Sequence, residues 1–220
     1  MEKIDESTLD FLKQLTRNNN KDWFDKNRSG YHAAKVNFEA FVQSLINEII
    51  EFDPIIKGLE AKNCIFRINR DVRFSNDKSP YKTNMGAFIV KGGKKNGDKY
   101  AGYYFHIEPG KSMLAGGAYI PPAPWLTAIR EKIDDEPEKL IKIINNPQFK
   151  KHFGQIEGEK LKKAPKGYPP DHKYIELLKY KSYLAMQEVS DKQILGGDYL
   201  KHSLSVFKAM KPLNDYLNEY

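Results

Sequence analysis

The chain has 220 residues, 40% of them hydrophobic and 30% charged, a composition typical of a soluble globular protein with one domain or at most two small ones. No apolar run approaches the roughly 20 residues of a membrane span, the N-terminus has no signal-peptide pattern, and the single cysteine, Cys64, excludes an intramolecular disulfide, so we expect a cytoplasmic protein without a membrane partner. The net charge of +7 at pH 7 favours an acidic partner such as nucleic acid or a phosphate-bearing small molecule, and the question of protein partners stays open.

Helices are predicted over the first part of the chain. An amphipathic helix is expected from Ser7 to the polar run 18–20, where three consecutive asparagines end it. Trp23 anchors a second helical stretch, which Gly30 is expected to break. Over residues 31–49 apolar side chains recur at helical spacing, which predicts a long helix whose aromatic stripe packs in the core.

The next stretch begins as an apolar strand and ends as a polar loop. Apolar and polar residues alternate from Cys64 to Asn69, which predicts a strand there because successive side chains of a strand point to opposite faces. The apolar neighbours of Cys64 indicate a buried thiol. A loop is predicted from there to Lys82, since Pro80 disfavours helix at the residue before it.

Three further strands are predicted over 86–90, 100–108 and 113–120. Short loops connect them, which makes neighbouring strands antiparallel. On the second of these strands Tyr104, His106 and Glu108 are two residues apart, so we expect them to share one face of the sheet.

The remainder of the chain combines helices, one strand and a basic loop. Helices are predicted over 125–133, from Pro137, over 147–153, 171–178 and 199–217, and a strand over 183–188. The segment 160–170 is basic, aromatic and proline-rich, which predicts a stiff loop rather than a flexible linker. We therefore predict a single α+β domain over residues 1–220, in which an antiparallel sheet of about four to six strands packs with several helices.

Positive charge is concentrated between residues 61 and 111. This segment contains eleven basic and four acidic residues, a surplus equal to the net charge of the whole chain. Because arginine offers a rigid fork of donors that suits planar anions, we predict a site for an anionic, phosphate-bearing ligand. The predicted ligand-binding residues are Arg67, Arg70, Arg73, Ser75, Lys78, Tyr81, Lys82, Tyr104, Lys166 and Tyr168. In this interpretation the tyrosines stack on a base or sugar, and the loop over 160–168 closes the pocket.

Two other interpretations of the same residues stay open. In the first, the protein is an enzyme acting on a phosphorylated or nucleic-acid substrate, with Asp71, Asp77 and His106 as metal ligands or acid–base groups. In the second, Arg70 and Arg73 neutralise Asp71 and Asp77, and the cluster is an internal salt-bridge lattice in a structural or partner-binding module.

No motif assigns a metal or a cofactor. One cysteine and five histidines form no zinc pattern, and His106 with Glu108 is only a weak pair of metal ligands, so we predict no metal site and leave cofactors open. Gly92 and Gly97 have the spacing of a phosphate-binding loop but lack the Lys and Ser or Thr that follow the second glycine.

The stretch from Ile65 to Lys82, with the pattern I-F-R-I-x-R-D-x-R-F-S-x-D-K-x-P-Y-K, resembles the signature of an uncharacterised protein family, domain of unknown function 2461. The supporting matches are Asn18-Asn19 with Trp23-Phe24, Gly102-Tyr103-Tyr104 with Pro109, Gly116-Gly117 before Tyr119-Ile120-Pro121, and Pro165-Lys166-Gly167-Tyr168. These matches cover nearly the whole chain in the family's order. The resemblance implies a single α+β domain, and it implies no activity.

Overall fold

Four antiparallel strands form one sheet in which each strand pairs with its neighbour in the sequence. The computed structural model describes residues 3–219. The strands are β1 (Met85–Ile89), β2 (Gly102–Ile107), β3 (Ser112–Ala118) and β4 (Tyr183–Val189). Their order in the sheet is β1-β2-β3-β4, so β1 and β4 form its edges. The predicted α+β class and antiparallel sheet are confirmed, with four strands.

Helices account for most of the rest of the structure. Those formed within residues 3–219 are α1 (Glu6–Arg17), α2 (Lys21–Lys26), α3 (Arg28–Ile49), α4 (Ala61–Cys64), α5 (Ala123–Asp135), α6 (Pro137–Ile144), α7 (Pro147–Phe153), α8 (Ile175–Leu178), α9 (Asp191–Ile194) and α10 (Tyr199–Asn218). Two short 3-10 turns occupy Pro54–Ile56 and Lys94–Asn96. None of the helices in the described range is long and apolar enough to cross a bilayer.

The core lies between one face of the sheet and the two long helices α3 and α10. Phe105 of β2 stacks on Phe38 and Phe41 of α3, with ring centroids 5.4 and 5.2 Å apart. Tyr103 of the same strand lies 5.2 Å from Phe207 of α10. Because side chains alternate along a strand, this packing directs the residues between them, such as Tyr104, to the opposite face of the sheet.

Gly30 does not break a helix, contrary to the prediction. It lies in the first turn of α3. The break between the two helices falls instead at Asn27, which follows the last residue of α2, Lys26, and precedes the first residue of α3, Arg28. A Cβ atom at Gly30 would lie 3.4 Å from the ring of Phe11 in α1. The glycine therefore lies where α1 packs against α3, and the chain continues through it as helix.

The predicted strand over 64–69 is also wrong. The helix α4 ends at Cys64, and the chain beyond it makes only two isolated bridges, Ile65 with Ala87 and Asn69 with Tyr81. Between these bridges the three residues 66–68 face the five residues 82–86, so the two segments lose register and form no continuous ladder. We call residues 65–84, which connect the end of α4 to the start of β1, the arginine loop.

The helix predicted over 171–178 is shorter than expected. It begins at Ile175, because the chain before it makes turns in which the N–H of His172 bonds to the carbonyl of Pro169. The backbone N–H of Tyr174 then donates to Nδ1 of His172 at 3.1 Å, which holds this turn outside the helix.

Candidate anion-binding site

Arg70 holds the tip of the arginine loop together. Its guanidinium pairs with Asp77 and also donates to the carbonyl of Ser79 at 3.2 Å and to Oγ of Ser75 at 3.4 Å. Asp77 accepts from the backbone N–H and the hydroxyl of Ser79 at 2.9 and 2.6 Å. These bonds from Ser79, followed by the charge of Arg70, lower the pKa of Asp77 to about 2. The hydrogen-bond donors and acceptors of these side chains are thus paired with groups of the tip itself.

Arg73 is paired in the same way. Its Nε and Nη2 atoms donate to the two carboxylate oxygens of Asp71 at 2.9 and 2.7 Å, and this bidentate contact lowers the pKa of Asp71. Lys78 donates to the carbonyl of Val72 at 3.0 Å. At the tip, Arg70 and Arg73 therefore pair with Asp77 and Asp71, which is the salt-bridge lattice that the sequence left open as one interpretation.

Tyr81 is part of the core rather than an open stacking surface. Its ring stacks on Phe24 with centroids 3.9 Å apart, and the residue is only 7% exposed. Its backbone is held by the side chain of Asn19, which donates to the carbonyl at 2.9 Å and accepts from the N–H at 3.1 Å. One ring face is therefore already covered, which argues against the predicted stacking of Tyr81 on a ligand.

Arg67 and Lys82 lie instead at a groove between α3 and the arginine loop, with a volume of about 570 Å³. We call it the basic groove. Five cationic side chains and one carboxylate, that of Glu39, line it. The cations are Lys35, Lys62, Arg67, Lys82 and Lys94.

The cations of the basic groove differ in their partners. Lys62 pairs with Glu60, and Lys94 lies 3.4 Å from the carbonyl oxygen of Lys62. Within residues 3–219, neither Arg67 nor Lys82 forms a salt bridge with a carboxylate. Burial and the charge of Arg67 both lower the pKa of Lys82. These two cations are close enough to repel each other.

A second polar cluster lies on the sheet face opposite the core. Oη of Tyr104 is 2.9 Å from Nδ1 of His106, and Nε2 of His106 is 3.4 Å from Glu108. The hydroxyl of Thr83 donates to the other carboxylate oxygen of Glu108 at 2.7 Å. Burial lowers the pKa of His106, although Glu108 opposes the shift, and burial raises the pKa of Tyr104 to about 12. The prediction that Tyr104, His106 and Glu108 share one face of the sheet is confirmed.

Lys166 and Tyr168 lie apart from the arginine loop. The ring of Tyr168 is 6.0 Å from His172, which in turn lies 2.8 Å from Asp134 of α5. Tyr168 is also close enough to influence Tyr183 of β4. Because β4 and β1 are opposite edges of the sheet, the loop over 160–168 does not close the basic groove.

The acidic residues considered as metal ligands are not brought together. Among residues 3–219, no group of three or more His, Cys, Asp or Glu side chains has a metal-binding arrangement. Asp71 and Asp77 are engaged by Arg73 and Arg70, so they do not join His106 in one cluster.

The sequence analysis missed the far walls of the basic groove. Lys35 comes from α3, Lys62 from α4, and Lys94 from the hairpin between β1 and β2. Helical spacing places Lys35 on one face with Tyr31 and Glu39, a usable signal. Nothing local in the sequence connects that face with Arg67.

The fold and this site define an α+β protein with a basic groove beside its sheet. The chain belongs to the family described as conserved hypothetical protein, DUF2461, whose sequence model matches residues 7–216, and the resemblance seen in the sequence is thereby confirmed. No curated protein and no solved structure matches the chain.

Proposed function

We propose that the basic groove binds an anionic, phosphate-bearing ligand. The observation that carries this proposal is the pair of Arg67 and Lys82, which lie close together without a carboxylate partner in the described part of the chain. Placing the exposed charge of Arg67 beside the half-buried charge of Lys82 costs stability. A bound anion would offset that cost, which is a reason for the sequence to keep both cations there.

The dimensions and chemistry of the basic groove suit a small molecule. Ligand pockets commonly enclose about 300–1,000 Å³, and this groove has about 570 Å³. Arg67 offers a planar fork for phosphate oxygens, while Lys35 and Lys94 add charge from the facing walls. Phe66, which is 38% exposed, offers an apolar surface for the remainder of the ligand.

This proposal narrows the predicted ligand-binding set. Arg70, Arg73, Ser75 and Lys78 use their donors within the loop tip, so we give them the role of holding the loop in shape. Arg67 and Lys82 remain as ligand contacts. A cytoplasmic location stays a prediction.

Isothermal titration calorimetry with inorganic pyrophosphate tests the proposal. We expect saturable binding to the unmodified chain that weakens as salt is added, because the contacts are ionic. Arg67→Gln and Lys82→Gln should each weaken binding by roughly tenfold or more, since a hydrogen bond to a charged group contributes about 1.5–3 kcal/mol.

Arg73→Gln is the matched control, because it removes the same charge from the same loop at a residue already bound to Asp71. Combined with Asp71→Asn, so that the released carboxylate cannot pair with Arg67, it should leave the affinity within roughly twofold. Equal losses in Arg67→Gln and in this double variant would contradict a site in the groove. A single-stranded oligonucleotide titrated in parallel distinguishes a polymeric from a small ligand.

A further inference from the structure

The polar cluster on the open sheet face has the arrangement of a nucleophile, a base and an orienting carboxylate. A carboxylate oxygen only accepts hydrogen bonds, so Glu108 favours the tautomer in which Nε2 of His106 carries the proton. Nδ1 is then an acceptor, 2.9 Å from the hydroxyl of Tyr104. The hydroxyl of Thr83 fixes the carboxylate at 2.7 Å.

Burial differs along this cluster. His106 is only 7% exposed, whereas Tyr104 is half-buried. Tyr104 pairs with Phe88 of β1 and Ala115 of β3, and its hydroxyl lies over Gly86, where a Cβ atom would lie 2.9 Å from the hydroxyl oxygen. Any larger residue at position 86 would displace or cover it.

Packing alone does not account for these residue types. Phe or Leu would fill the position of His106 on a sheet without the cost of burying an imidazole. A nucleophile within hydrogen-bond reach of a base, which a third group orients, is instead the general pattern of covalent catalysis, and tyrosine is among the side chains that serve as the nucleophile.

We infer that Tyr104, His106 and Glu108 form a catalytic triad in which Tyr104 is the nucleophile and phosphoesters are the substrate class. Oη of Tyr104 attacks phosphorus and forms an O–P bond while its proton passes to Nδ1 of His106. The bond from phosphorus to the leaving oxygen breaks, and the leaving group takes that proton from the imidazolium. Water then gives a proton to His106 and attacks the phosphotyrosine, and the Tyr104 oxygen leaves and takes the proton back from His106. Glu108 acts as a positioning residue throughout.

The choice of phosphoesters rests on the proposed function, whereas the activated tyrosine does not. Phe66 connects the two sites. Its ring lies 5.4 Å from Nζ of Lys82 in the basic groove and 6.3 Å from the ring of Tyr104. A substrate with two phosphate groups would therefore bind one of them in the basic groove and present the phosphorus of the other to the hydroxyl of Tyr104, with its connecting part along Phe66.

Labelling with benzenesulfonyl fluoride, followed by mass spectrometry, tests the triad without any anionic group in the probe. The phenol oxygen forms an O–S bond, fluoride leaves, and His106 accepts the proton. We expect Tyr104 to react faster than Tyr119, a control that is more exposed at 68% and makes no hydrogen bond to a histidine in the described chain. His106→Asn should slow labelling about 100-fold or more, the scale of general-base catalysis, and Glu108→Gln should slow it less.

Two controls keep the result interpretable. Tyr104→Phe should abolish the label at this position, and Cys64, which is buried with a pKa raised to about 12 by burial, should stay unreactive to a thiol reagent in every folded variant. Labelling of Tyr104 that is no faster than that of Tyr119, or that is unchanged in folded His106→Asn, would overturn the triad.

A second probe, 4-(fluorosulfonyl)phenyl phosphate, tests the substrate class. It should label Tyr104 faster than benzenesulfonyl fluoride does, and Arg67→Gln should bring the ratio of the two rates, measured in the same variant, close to one. Equal rates for the two probes in the unmodified chain would overturn the phosphoester assignment. Pyrophosphate calorimetry of the same preparation would show separately whether the basic groove binds anions.

Discussion

The two halves of the arginine loop contain the same residue types and differ in whether those residues have partners. At the tip, Arg70 and Arg73 are bound by Asp77 and Asp71. At the base of the loop, Arg67 and Lys82 face the basic groove, where the charge of Arg67 helps to lower the pKa of Lys82. The difference teaches that an arginine cluster is not one functional unit, because carboxylates two to seven residues away decide which guanidinium stays available.

This comparison gives the tip a structural role and the base a binding role. Paired charges that are largely exposed contribute little to stability but restrict the loop. Unpaired cations in a half-buried groove lower stability, and natural proteins retain such costs mainly where function requires them. Stability and binding should therefore respond in opposite ways to mutations in the two halves.

The largest expected effect comes from the anchor that both halves share. Tyr81→Ala removes a buried ring stacked on Phe24 and should lower the free energy of unfolding by about 3 kcal/mol. Denaturant titration measures this value. Tyr81→Phe keeps the ring and should be nearly neutral; a large loss in that variant would show that the hydroxyl, rather than the stacking, anchors the loop.

A smaller loss is expected at the tip. Arg70→Gln leaves Asp77 without its cation and the carbonyl of Ser79 without a donor, so the free energy of unfolding should fall by about 1.5 kcal/mol. Arg73→Gln, at a more exposed pair, should change it much less. Denaturant titration of the two variants side by side compares them, and the reverse order would remove Arg70 from its central place in the lattice.

At the base of the arginine loop, removing a cation should raise the free energy of unfolding rather than lower it. Arg67→Gln relieves the repulsion on Lys82 and should stabilise the ligand-free protein by about 0.5 kcal/mol, the scale of a partly exposed ion pair. The pKa of Lys82 should rise towards its ordinary value, which NMR titration of the Lys82 side chain would detect. If Arg67→Gln destabilises the protein as Arg70→Gln does, the proposed distinction between the two halves fails.

The smallest expected effect is the contribution of Asp77 to the loss of stability at acid pH. The pKa of Asp77 is lowered to about 2 in the folded protein, so the unfolded chain binds the proton more readily. The stability that this carboxylate contributes is complete above its ordinary pKa of 3.8 and is lost as the pH falls towards 2. Denaturant titrations at pH 5 and pH 2.5 should show less acid sensitivity in Asp77→Asn than in the unmodified chain.

Local patterns in the sequence were sufficient to predict the sheet but not the arginine loop. The alternation along β2 correctly placed Tyr104 and His106 on one face, because strand geometry depends only on residues two apart. The same reasoning failed over 64–69, because the facing segment has two extra residues between the two isolated bridges and the register is lost. A partner strand supplies half of the hydrogen bonds, so its sequence matters as much as that of the strand itself.

The candidate site was predictable only in part for the same reason. The partner of Arg73 is Asp71, two residues away, and that pairing was considered from the sequence. The neighbours of Arg67 include Lys35 on α3 and Lys94 on a hairpin, both about 30 residues distant. Only the tertiary fold brings these cations together, so the sequence could not separate Arg67 from Arg73.

The most direct measurement is an NMR titration of the unmodified protein with pyrophosphate, following the Nε–Hε resonances of its arginines. The chain has only six arginines: Arg17, Arg28, Arg67, Arg70, Arg73 and Arg130. We predict that the resonance of Arg67 shifts saturably, while those of Arg70 and Arg73 stay in place because their carboxylate partners hold them. Shifts at Arg70 and Arg73 with Arg67 unmoved would contradict the division between a structural tip and a binding base.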